Sequence, residues 1–150
     1  MEKEINISEL RQLLNLDEND NSQKLRDTAI LGDKKQLNDL MSKTQIDDQD
    51  NMIYIRGLQN QFIKLAEILE INKTTKNLTQ AVESLKPKVF WKDKPIVLGQ
   101  ANKWDTKKIK TAIDELINAE ILIKSSSDIK GSEITKKLLI DICNKASNVA

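Results

Sequence analysis

Apolar residues recur at three- and four-residue spacing along nearly the whole of this chain, and no stretch alternates long enough to make a strand. That periodicity restricts the fold to packed helices. The strongest run is 47–70, DDQDNMIYIRGLQNQFIKLAEILE. It sets Met52, Ile55, Leu58, Phe62, Leu65, Ala66 and Leu69 on one predicted face. Acidic residues at its start suit the positive end of the helix dipole. Gly57 within it costs about 1 kcal/mol relative to alanine in an exposed helix, or else allows a close helix approach.

The remaining segments are bounded by caps and breakers. Asn6 with Glu9 forms a variant capping box, and Ile5 and Leu10 a hydrophobic staple, for a short helix over about 7–14. Residues 15–21, NLDENDN, are polar and predict a linker. Ser22 can cap a helix carrying Leu25, Ala29 and Ile30. Gly32 fits a left-handed helix end and Asp33 the cap of the next helix, which carries Leu37, Leu40 and Met41. INKTTK, 71–76, predicts a loop, and Asn77 a cap for a helix with Leu78, Ala81, Val82 and Leu85. Asp105 predicts the cap of a long helix burying Ile109, Ala112, Ile113, Leu116, Ala119 and Ile123. After a loop at 125–131, Ser132 opens a last helix with Ile134, Leu138, Ile142 and Ala146. Cys143 is expected to pack as a small buried hydrophobe. The sum is an all-α helical bundle of about seven to eight helices, mostly up-and-down with short loops.

Composition narrows the chemistry. Apolar residues make up 39% and charged residues 31%, and the net charge is +1, so nothing global points to nucleic acid or an anionic membrane. Histidine is absent and there is one cysteine. A Ser-His or Cys-His nucleophile cannot be built, and a zinc site is disfavoured. No glycine-rich phosphate loop is present. No apolar run approaches the ~20 residues that span a bilayer. The expectation is a non-catalytic, cytoplasmic protein without cofactor, metal or membrane partner.

Residues 87–105, PKVFWKDKPIVLGQANKWD, break the pattern. Both prolines, both tryptophans and Phe90 fall in this strip. Pro87 ends the preceding helix by restricting Lys86. Pro95 fits only a first turn, so a short turn at 88–93 and a helix over about 94–102 are expected, or one helix kinked at Pro95. Phe90, Trp91 and Trp104 read first as core fillers at a helix crossing, since aromatics bury large areas. One tryptophan as an interface anchor is compatible with this.

Several pieces, in order, resemble the C-terminal part of the delta-subunit family of the bacterial DNA polymerase III clamp loader. INISELRQLL is similar to the segment closing that family's lid domain, on Ile5, Asn6, Leu10, Leu13 and Leu14. AILGDKKQLNDLMSK resembles its helix-Gly-Asp-helix step, on Ala29, Gly32, Asp33 and Leu37. GLQNQFIKLAEI resembles the long helix that follows, on Leu58, Phe62 and Leu65. Phe90, Trp91, Lys92, Gln100 and Trp104 match its signature of an aromatic pair, a basic residue and Gln-x-x-x-Trp. Leu116, Ala119, Glu120 and Lys124 match Leu-x-x-Ala-Asp-x-x-Leu-Lys, with Glu120 for aspartate and Ile123 for leucine.

The resemblance implies a collar domain over 17–150, preceded at 1–16 by the tail of the lid. By itself it would not be an enzyme but a fragment of a subunit of DNA polymerase III, the DNA-directed DNA polymerase holoenzyme. Its partners would be the ATP-binding motor subunits and delta-prime. DNA and the sliding clamp would be reached only through domains not included in this chain. Phe90, Trp91, Lys92, Gln100, Trp104, Glu120 and Lys124 are the candidate structural or interface residues. Glu120 and Lys124 also form a favourable i,i+4 pair. The alternative is a small helical nucleic-acid-binding domain that uses the lysine-rich 86–110 strip.

Overall fold

In the computed structural model, which describes residues 21–86, 88–125 and 130–147, the chain is an all-helical bundle. The helix expected over 7–14, most of the linker at 15–21, the lid remnant at 1–16 and Pro87 lie outside the described residues. Seven helices are described: α1 (21–31), α2 (Lys34–Lys43), α3 (Asn51–Thr75), α4 (Leu78–Glu83), α5 (Lys94–Lys103), α6 (Thr106–Lys124) and α7 (Gly131–Ser147).

Helix α3 is the axis. It packs against α4, α5, α6 and α7, while α2 lies on α7, far along the chain from itself. The bundle is therefore built around one central helix. Being covered on several sides widens the buried face of α3. Tyr54, Gln61 and Ile68 join Ile55, Leu58, Phe62 and Leu65 inside, whereas Met52, Ala66 and Leu69 are only partly buried. Burying each large apolar side chain contributes about 1.5–3 kcal/mol.

Several caps lie where the sequence puts them. The side chains of Asp33, Asn77 and Asp105 accept from the backbone N–H of Gln36, Gln80 and Lys108. Gly32 adopts φ +79 at the end of α1, the left-handed region that favours glycine. Several boundaries differ from expectation. Ser22 does not cap α1, because Asn21 is already helical. Helix α3 starts at Asn51 rather than 47, and it runs through the loop expected at 71–76. Ile71 packs against the core, so the helix gains by continuing; it stops where Lys76 turns left-handed and returns its N–H to the Asn72 carbonyl. Helix α4 stops at Glu83, and Leu85 is buried from the segment beyond it.

The start of α7 is clasped to the start of α3. The Asp48 carboxylate accepts the Ser132 backbone N–H at 2.9 Å. Buried Asn51 accepts from Thr135 Oγ1 at 2.8 Å and donates to the Asp48 carbonyl. The Ser132 hydrogen bonds, backbone first, hold the Asp48 carboxyl below its ordinary value, with Lys130 adding to the effect. Cys143 is buried in α7, and desolvation raises its thiol pKa, as befits a packing residue.

Three substitutions test this geometry. A Cβ at Gly32 would combine the positive φ with contacts at 3.0 Å to Ala146 Cβ and the Ser147 backbone nitrogen. Gly32→Ala is expected to cost upwards of about 1 kcal/mol in urea unfolding. Gly57→Ala meets only Arg26 Cδ at 3.7 Å, and is expected to gain about 0.5–1 kcal/mol. The Asp48 contribution is present above the unfolded aspartate pKa, about 3.9. Because the folded value is depressed, that contribution is lost as pH falls through it. Asp48→Asn is expected to flatten the acid limb of a stability-against-pH curve relative to the parent chain.

Candidate functional site

Residues 88–105 form a corner that leads into α5 and on into α6. A turn at 91–93 leads into α5, which starts at Lys94 and places Pro95 in its first turn. There the missing N–H leaves no helix bond unmade. The separate helix is thus observed rather than one kinked helix. At its far end Trp104 is extended, with φ −119 and ψ 149, and Asp105 starts α6.

The corner sorts its candidate residues into two groups. Trp104 and Gln100 point inward. The Trp104 ring meets Phe62 of α3 edge-on, with centroids 4.7 Å apart. Its indole N–H donates to the Ile30 carbonyl at the end of α1, at 2.7 Å. Gln100 is fully buried. Its Oε1 accepts from Gln61 Nε2 at 2.7 Å, and its amide donates to the Asp27 carbonyl at 3.2 Å. Asp27 is paired in turn with Arg26 at 3.0 Å. One polar chain therefore ties α5 to α1 and α3. Glutamine suits this place because its amide both donates and accepts.

Phe90 and Trp91 point outward, contrary to the core expectation. They are 58% and 67% exposed, with ring centroids 5.9 Å apart. The turn at 91–93 lies outside the helical packing, so it presents its side chains to solvent. Lys92 Nζ lies 5.5 Å from the Trp91 ring centroid, a cation–π contact. Beside Phe90 runs a groove of about 310 Å³, whose walls include Arg26, Asp27, Ile63, Lys64 and Lys88.

Glu120 and Lys124 form an ion pair at 3.1 Å on α6, away from the corner's inner cluster. Lys124 first, then Gln59 and Arg56 of α3, hold the Glu120 carboxyl below its ordinary value. This pair lies on the outer seam of α3 and α6. A second, more apolar groove of about 530 Å³ runs between α6 and α7, floored by Ala119, Leu122, Ile134 and Leu138.

Sequence reasoning missed Asp27 and Gln61, the partners of Gln100. Gln61 stands next to Phe62 in the apolar run of α3, and a polar residue in that place is the one available signal. The α6–α7 groove had no signal, because Leu122 falls off the predicted buried face. Among the described residues no cluster of acidic and cysteine side chains is placed to hold a metal, and no helix is long and apolar enough to cross a membrane. No protein-family description, curated protein or solved structure was found to match this chain.

The inner and outer groups should respond differently to substitution. Gln100→Leu leaves the buried Gln61 amide without its acceptor and is expected to cost about 1–3 kcal/mol. Trp104→Ala should cost about 3–5 kcal/mol. Trp91→Ala should stay within about 0.5 kcal/mol of the parent. Urea denaturation followed by circular dichroism measures all three.

Proposed function

We propose that this domain is the non-catalytic collar module of a clamp-loader delta subunit, holding the clamp-opening subunit beside its ATP-driven neighbours during DNA replication. The observation that carries the reading is the uncovered apolar surface on rigid elements. Ile53 and Ile63 on α3, Ile117, Ile121 and Leu122 on α6, and Phe90 and Trp91 on the corner are all at least 39% exposed. Large apolar side chains on several flanks suit a domain with neighbours on more than one side. The signature order of Phe90, Trp91, Lys92, Gln100 and Trp104 supports the same reading. In it, Gln100 and Trp104 make the corner stiff, and Phe90 and Trp91 are carried on it as contact residues.

A second reading, a nucleic-acid-binding domain, draws on one specific feature. An exposed aromatic pair is flanked by Lys88, Lys92 and Lys94, a pattern suited to stacking bases along a single strand.

Size exclusion with light scattering tests the first reading. The chain is mixed with the ATP-binding and delta-prime subunits of the same source. The expected outcome is a stoichiometric complex well above the 17.1 kDa of the chain alone. A chain that elutes unchanged beside every one of those subunits sinks the collar reading. Salt-sensitive binding of a single-stranded oligonucleotide, lost in Trp91→Ala, would favour the second.

A further inference from the structure

The Phe90–Trp91 prong and the α6–α7 groove are complementary and do not meet within one molecule. The prong is apolar and basic: two exposed rings stand beside Lys88 and Lys92, with Asp93 the one acidic residue between Lys88 and Lys94, while Lys94 itself is paired with Glu83 at 3.9 Å. The groove is apolar and acidic. Its floor holds Leu122, 39% exposed, beside Ile134 and Leu138. Its edges carry Glu115, Glu133 and Asp141 against one lysine, Lys137. Glu115 is already paired with Lys145 and has its second oxygen buried without a hydrogen-bond partner. Glu133 and Asp141 remain as the outer carboxylates of the rim.

We propose that the prong of one copy of this chain inserts into the α6–α7 groove of a second copy, joining copies head to tail. The ring faces of Phe90 and Trp91 would cover Leu122 and the exposed part of Ile134, above the buried Leu138, removing apolar surface from water on both sides. Lys88 and Lys92 would lie over Glu133 and Asp141. Prong and groove share no residue and come from different elements, so every copy offers one of each. Such a contact is heterologous: it does not close on itself in a pair, and each added copy leaves a free prong at one end and a free groove at the other. The lysine–carboxylate rim makes the contact weaken as salt rises. The proposal stands on these two surfaces alone and does not need the collar reading.

The test uses the full chain in sedimentation equilibrium, together with three variants. Phe90→Asp with Trp91→Asp removes the prong. Leu122→Asp with Glu133→Lys removes the groove at two exposed positions, and Asp141→Lys, on its half-buried edge, serves as the milder partner. Circular dichroism establishes that each remains folded. The parent chain is expected to grow in average mass with concentration, past a dimer, and Trp91 emission to shift to the blue as it is buried. Each variant alone is expected to lose at least about tenfold in association constant. The decisive sample is the equimolar mixture of prong-less and groove-less chains. One intact prong and one intact groove remain between them, so the mixture is expected to form dimers and stop there. Persistence of association in either multiply substituted variant overturns the proposal, as does a mixture that stays monomeric. So does a parent chain that is monomeric up to about 1 mM, the weak limit of specific binding, with Trp91 responding only to a single-stranded oligonucleotide.

Discussion

The indole of Trp104 is the contact on which the rest of the bundle depends. It sits at the joint between α5 and α6, packs edge-on against Phe62 of the central helix, and hands its one proton to the Ile30 carbonyl at the end of α1. That carbonyl is among those a helix end leaves without an internal partner. A single side chain thus satisfies a helix terminus, fills the centre and fixes the angle at which two helices leave the joint. Gln100, one turn earlier in α5, repeats the device with polar groups. A buried amide that is fully engaged discriminates strongly against other arrangements, because each displaced partner would be left unpaired.

A joint held this firmly lets the chain leave large side chains outside. The turn that carries Phe90 and Trp91 lies close before α5, whose interior is locked to α1 and α3. The prong therefore rides on a stiff support, which would lower the entropy lost in the docking proposed above. The same division recurs on α6. Ile109, Ala112 and Leu116 hold the helix down, and Ile117, Ile121 and Leu122 face out. Buried packing and exposed apolar surface fall to different residues of the same elements, so the exposed set can change without undoing the fold.

Much of the architecture was legible from local signals. The cap positions at Asp33, Asn77 and Asp105, the left-handed turn at Gly32 and the helix start at Pro95 depend on φ limits and on hydrogen bonds within a few residues. These operate whatever the helices pack against. The end of α3 was not legible: INKTTK is polar enough for a loop, yet it stays helical with Ile71 packed against the core and Lys73 paired with Glu70. The burial of Tyr54 and Ile68 was likewise hidden, because it follows from the number of helices surrounding α3.

The sequence by itself determined that this protein is a bundle of capped, amphipathic helices without histidine chemistry, since periodicity and residue type act locally. Tertiary structure alone decided which aromatics are inside. Phe90, Trp91 and Trp104 are equally apolar on paper, yet only Trp104 finds a ring and a carbonyl within reach. Tertiary structure also paired Gln100 with Gln61 and Asp27, residues 39 and 73 positions away, and opened the groove between α6 and α7. Contacts at such separations depend on how helices are placed in space, which no local pattern encodes.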